Sequence, residues 1–352
     1  MTRIAGAVVL LALPVLAQSE VLSPAYEAAV RRYASGDRDG AIADLCGWPE
    51  GSMRDEIATF RRKARSDGLW PGTAALMLHT DCALRARRDG TSPRLHESAA
   101  LALVGFMKDD PARRAFARTW YGAMASLALR ENRWDEALAW AERGLRDFPD
   151  SVEMLLVESS VEEILGAQAG PAVSDQNAPD VIARQERSRL LQLHEARDHL
   201  ERAARAARAA AATQPSLPEA RLRLGHVAWR LGETDKARSA LEEALARSRD
   251  GGTAYLAHLF LGRLDEDAGH LEVALRSYEA ALALDPRCQS ARLAISHVHL
   301  RLGDGAGARH DVETAVKPAG YRAQPDPFWL YPWGPSVDVK DRLEALRREA
   351  SP

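Results

Sequence analysis

Between Pro218 and Pro286 apolar residues return at steps of three and four, and the succession is written twice. Leu222, Leu224, Val227, Ala228 and Leu231 form one stripe, and Ala237, Leu241, Ala244 and Leu245 form the next. This spacing gathers the apolar side chains on one face of a helix and leaves the polar residues around the rest. The second copy answers the first position by position: Leu261-Gly262, Asp265, Gly269, Ala274, Tyr278 and Ala281 stand where Leu224-Gly225, Ala228, Gly232, Ala237, Leu241 and Ala244 stood. Gly232 and Gly269 predict left-handed stops at the ends of the leading helices. Gly225, Ala228, Ala237 and Ala244 put little bulk where paired helices would cross. Neither helix of a pair can bury its stripe alone, so the pairs must stack on one another.

A looser form of the pattern runs through most of the chain. Ala25, Tyr26, Ala29 and Val30 precede Gly36, and Ala41, Ile42 and Leu45 follow it. Ser52-x-x-Asp55 then predicts an additional helix, ending near Gly68, that packs between the first two pairs. A helix over Gly72 to Arg87 is stopped by Asp89-Gly90, and Pro93 opens its partner through Ala99, Leu103 and Phe106. Tyr121, Met124-Ala125 and Ala128 lead to Trp134, Ala137, Ala141 and Pro149; Met154, Val157-Glu158 and Val161 open another pair. There the period breaks at 167–187, a polar Gly- and Pro-containing insertion, before a second helix resumes near Ser188 and runs to Thr213. The final pair carries Ile295-Ser296, Ala308, Val312 and Ala315, with Ser296 where a glycine is expected. Phe328, Trp329, Tyr331 and Trp333 follow among prolines, and a charged helix from about Val337 closes the chain.

The Leu-Gly pair, the Ala-aromatic-Ala series and the closing proline resemble the tetratricopeptide repeat, a helix–turn–helix unit of about 34 residues. The resemblance implies an all-α fold: a right-handed superhelical solenoid of about six helix pairs with an aromatic, Pro-rich C-terminal cap and a terminal helix. On this reading residues 18–111 hold degenerate units with the extra helix, and 112–214 hold two units, the second interrupted at 167–187. Residues 215–317 hold three units, and 318–352 the cap and last helix. The cap is expected to fold back on the final helix pair and shield its apolar end.

Composition narrows the partner rather than the fold. The chain has 46% hydrophobic and 28% charged residues but only 6% aromatic ones, a helical, alanine- and leucine-rich balance. Its formal charge is −3, from 47 basic and 50 acidic residues, and no basic patch nominates nucleic acid. Arg3, the apolar run Ile4 to Leu16 and Val15-Leu16-Ala17 read as an export signal over 1–17, too short an apolar run for stable membrane insertion. In an exported chain Cys46 and Cys82 either pair across neighbouring N-terminal units or, with Cys288, serve as small buried hydrophobes.

No catalytic pattern stands out. There is no Gly-x-Ser-x-Gly, phosphate loop, His-Glu-x-x-His or dinucleotide fingerprint. His297 and His299 point to different faces of one helix, and His194 and His199 are also off-face, so no metal or other cofactor is expected. In the tetratricopeptide family the first helices of successive units line a concave groove. Carried onto this chain, the ligand-facing positions include His226, Trp229, Arg230, Arg263, Glu266, Asp267, His297 and Arg301. Trp229 beside Arg230 and Arg263 has the composition of an interface anchor, or else packs against the neighbouring unit. Phe328, Trp329, Tyr331 and Trp333 make a second candidate surface. The implied role is a non-catalytic scaffold holding a peptide or protein partner. A self-associating cell-envelope assembly component and a carbohydrate-binding module built on the C-terminal aromatics are the alternatives.

Overall fold

The computed structural model describes residues 22–63, 72–168, 179–316 and 325–351. The export signal and the middle of the insertion, 169–178, lie outside the described residues. All regular structure among them is helical. The chain divides into two compact units, one of 1–117 with 344–352 and the other of 118–343.

The first unit contains α1 (Pro24–Ala34), α2 (Arg38–Leu45), α3 (Glu50–Lys63), α4 (Gly72–Arg88) and α5 (Arg94–Met107), together with the last turns of the C-terminal helix. Ser23 starts α1: its hydroxyl accepts the Tyr26 N–H, and Pro24 fits the first turn because that position needs no donor. The additional helix α3 begins at Glu50, ahead of the Ser52 signal, and packs on α5 while its Glu56 accepts the Ser23 N–H at 2.9 Å. Cys46, just past α2, is joined by a disulfide to Cys82 in α4, their Cα atoms 5.3 Å apart. Cys288 is free and buried, and burial pushes its thiol up to about 12. Tyr33 and Arg347 both donate to Asp81, at 2.7 Å each, which ties the last turns of the chain to α4.

The second unit stacks helix pairs. Most of α6 (Arg114–Arg130) lies in it and meets α7 (Trp134–Asp147) through Trp120 and Trp140, edge to face at 5.4 Å. There follow α8 (Val152–Gln168) with α9 (Pro179–Thr213), α10 (Pro218–Arg230) with α11 (Thr234–Arg247), α12 (Gly251–Asp267) with α13 (Leu271–Leu284), and α14 (Gln289–Arg301) with α15 (Gly305–Val316). Each second helix also packs on the next first helix. The stops fall where glycine was read: Gly232 and Gly269 have φ of 78° and 80°, and Asn132 plays that part after α6 with φ 57°.

Close approach explains the Leu-Gly position. A Cβ on Gly262 would sit 2.5 Å from the Tyr278 ring, and one on Gly225 would sit 2.6 Å from Leu241. Ser296 fits in the last pair because its hydroxyl donates to the Ala308 carbonyl at 2.9 Å. Ser159 makes the same bond to Ala203 at 3.0 Å. The small position of α8 is therefore Ser159, one residue beyond the Val157-Glu158 register that apolar spacing alone predicts. The insertion also shrinks: α8 reaches Gln168 and α9 begins at Pro179 rather than near Ser188.

The largest difference concerns the cap. The segment after α15 forms α16 (Pro327–Leu330), a 3₁₀ turn (Tyr331–Ser336) and α17 (Val339–Ala350). Among the described residues its start bonds to the final pair, where Asp326 accepts the Ser290 N–H at 3.0 Å. It then crosses the first helices in reverse order, α16 against α12 and the 3₁₀ turn against α8. There Tyr331 finds a buried carboxylate, Glu163, and a buried arginine, Arg223.

Candidate functional site

Three successive stations repeat along the face lined by the first helices. In each, a residue four positions past the small position of one helix meets residues one and five past the small position of the next. At the first, Glu163 of α8 is hydrogen-bonded to His226 of α10, and its backbone carbonyl accepts from Arg230 at 2.9 Å. At the third, Glu266 of α12 is hydrogen-bonded to His297 of α14, and its carbonyl accepts from Arg301 at 3.0 Å. At the middle one, Trp229 donates its indole N–H to Asp267 at 2.8 Å, while the Arg263 guanidinium lies 6.0 Å from the Trp229 ring centre. Trp229 also packs against Ala228, Ala237 and Leu264. Trp229 thus packs against the neighbouring unit, as one of its two readings expects.

Glu163 and Glu266 are almost wholly buried, yet both carboxyls lie below the ordinary range. Burial pushes each up. His226 and the Arg223 and Arg230 guanidinium groups outweigh that at Glu163, and hydrogen bonds from Tyr278 and His297 outweigh it at Glu266. A buried carboxylate surrounded in this way fixes the spacing of two helices, because stripping its partners would leave a desolvated charge.

The first station is filled by the chain itself. Tyr331 donates to Glu163 at 3.0 Å and sets its ring edge-on to His226 and Phe260, with centroids 5.0 and 5.2 Å away. Arg223 reaches over the same ring at 4.8 Å and donates to the Tyr331 carbonyl at 2.8 Å. Further along, Trp333 donates to Asn132 at 3.1 Å, and Arg342 pairs with Glu153.

The third station is open. A cavity of about 470 Å³ lies between α10, α12 and α14, walled on one side by Phe328 and Trp329. His226, Trp229, Arg263, Glu266 and His297 line it with Leu259, Phe260 and Leu293. Five of the eight groove residues and two of the four C-terminal aromatics thus meet at one place. Arg230, Asp267 and Arg301 instead hold helix to helix, and Tyr331 and Trp333 anchor the tail. Sequence reasoning missed Glu163, Arg223 and Phe260. Glu163 was hidden by the one-residue register error in α8, and a buried arginine is not legible from an apolar stripe. Among the described residues no cluster of three or more His, Cys, Asp or Glu could hold a metal ion.

Residues 189–253 and 259–326 match the family model described as tetratricopeptide repeat. These stretches are tetratricopeptide repeats, in agreement with the helix pairs just described. A search of curated proteins finds no match. Among solved structures the chain is similar to MamA from Desulfovibrio magneticus RS-1, with 18% identity over 56% of this chain and 92% of that one and a TM-score of 0.41. It is also similar to PilW, described as a widely conserved type IV pilus biogenesis factor, with 16% identity over 65% of this chain and 90% of that one and a TM-score of 0.45. Neither likeness bears on what this chain binds.

Proposed function

We propose that the chain is an exported, non-catalytic scaffold that holds a segment of a partner protein on the first-helix face of its second unit. The observation that carries this reading is the open cavity at the third station. Its apolar wall is presented to solvent, with Leu293 44%, Phe328 40% and Trp329 56% exposed. A soluble protein keeps such a contiguous apolar hollow chiefly where a ligand covers it. Export is supported by the charge and apolar pattern over 1–17 and by the Cys46–Cys82 disulfide, which persists in an oxidising compartment. No described helix is long and apolar enough to cross a membrane.

The cavity favours capture of a side chain over a sugar platform. Tyr331 and Trp333 are tied down by Glu163 and Asn132, and the two remaining rings face the hollow rather than forming an open strip. A photo-crosslinking residue at Leu293 tests the reading. It should trap a protein partner that the same residue at Glu279, exposed on α13, does not trap. Equal labelling from the two positions would remove the cavity from consideration.

A further inference from the structure

The first and third stations are the same construction, and the first one shows what it accepts. His226 follows the small residue of α10 as His297 follows that of α14, and each is bonded to a buried glutamate of the preceding first helix. Against His226 the chain seats one of its own aromatic rings, Tyr331. Two differences decide what the third station takes. Arg223, two residues before the small position of α10, is replaced in α14 by Ala294, whose lack of bulk leaves room where the guanidinium lies over Tyr331. Glu266 already accepts a phenol, that of Tyr278 at 2.7 Å, so a ring entering the cavity need not bring a hydroxyl.

Resting on the proposed function, we infer that the cavity is a receptor for an aromatic side chain from which it requires no hydroxyl, such as phenylalanine or tryptophan, flanked by a carboxylate in the partner's segment. Phe260, Phe328, Trp329 and Trp229 supply ring faces and edges for it, and Leu259 and Leu293 supply aliphatic walls. The flanking charge follows from the rim. Glu266 is 2% exposed and saturated, Arg301 with it at 3.3 Å is 38% exposed, and Arg263, which is 48% exposed and pairs with Asp267 at 3.2 Å, keeps donors that a partner's carboxylate could share.

The test uses the whole chain and acetylated, amidated five-residue peptides. The reference is Ala-Asp-Phe-Ala-Asp with a 4-fluoro ring, followed by fluorine NMR. Competitors carry Tyr, Leu or Ala in place of the aromatic, or Lys in place of both Asp. Binding of the Phe peptide, weakened about tenfold with Leu and at most about twofold with Tyr, is the expected result; a tenfold change corresponds to about 1.4 kcal/mol. Leu293→Asp should abolish it by placing a carboxylate in the apolar wall, and Arg263→Glu should weaken the Asp peptide while sparing the Lys one. Helicity and thermal unfolding of both variants serve as controls, and Leu293→Ser replaces Leu293→Asp if the latter unfolds. If Leu and Phe peptides bind equally, the aromatic assignment is overturned while segment capture stands. If no peptide binds and the Leu293 crosslinker also traps nothing, both readings fall.

Discussion

Tyr331 and Glu163 are hydrogen-bonded at 3.0 Å although 168 residues separate them. That bond locks the C-terminal segment onto the face where a repeat array usually receives its ligand. Burial, and then the Glu163 charge, push the tyrosine hydroxyl far above its ordinary range, so it remains a donor at every accessible pH. Tyr331→Phe keeps the ring and removes only the donor to a buried carboxylate. The second unit should lose about 2 kcal/mol, or about 4–8 °C in Tm, measured by calorimetry. An unchanged Tm would show that the tail is held by its other contacts.

Gly262→Ala tests the close approach of α12 and α13. The new methyl group would meet the Tyr278 ring at 2.5 Å, and that ring cannot withdraw without breaking the bond from its hydroxyl to Glu266. The expected cost is about 1–3 kcal/mol, at the level of an overpacked core. Gly232→Ala, at φ 78° with nothing near its Cβ, tests the other use of glycine, where only backbone strain of about 1 kcal/mol is added. Urea unfolding of the two variants should rank Gly262→Ala as the worse; the reverse order would mean the helices can part freely.

Much of this was legible in the sequence because tetratricopeptide pairs advertise themselves locally. The apolar stripe, the small crossing residue and the glycine stop all lie within one unit, and Gly225, Gly262, Gly232 and Gly269 serve as expected. That Trp229, Arg263, Glu266 and His297 share one face was legible for the same reason, since a periodic helix fixes which positions share a face. What escaped depended on contacts between distant segments. Nothing near Tyr331 in the sequence names Glu163 as its partner, and a rule that arrays shield their last face accounts for the bond of Asp326 to Ser290 but not for the crossing to α12 and α8. The open cavity is lined by residues of α10, α12, α14 and the tail, and it appears only after these are brought together.

The disulfide should stabilise the first unit substantially. It closes a sequence separation of 36 residues, for which loop-closure entropy gives about 4 kcal/mol. Cys46→Ser with Cys82→Ser should therefore lower the unfolding transition of that unit and leave the second unit's transition in place. Calorimetry with and without reductant distinguishes the two, and a single transition shifted as a whole would contradict the prediction.

Acid should act on the first unit through a buried histidine pair. His79 is bonded to the Tyr26 hydroxyl at 2.9 Å and to His96 at 3.0 Å. Burial, and then His96, hold His79 down at about 3, and burial holds His96 at about 4. Both are depressed below the unfolded value of about 6.5, so the unfolded chain binds more protons throughout that interval. Stability is then full above about pH 6.5 and is lost as pH falls toward 4. His96→Gln removes one of the two sites and should flatten the Tm profile between pH 6.5 and 5, above the range where most carboxylates titrate.

Glu158 reverses that sign in the second unit. Burial, then Glu162 and Glu142, push its carboxyl up to about 7, against the weaker pull of Arg205 and Arg202. The folded chain thus holds a proton that the unfolded chain releases near its ordinary value, so stability is complete below about pH 4.5 and is lost as pH rises through 7. Glu158→Gln copies the protonated form in shape and polarity. At pH 5 it should match the natural protein, and at pH 8 it should be more stable by about 1–2 kcal/mol after solvent screening of a partly exposed group. The comparison needs only two thermal scans at each pH. A gain at pH 5 as large as that at pH 8 would mean the amide improves packing, and that charge repulsion beside Glu162 and Glu142 is not what destabilises the alkaline form.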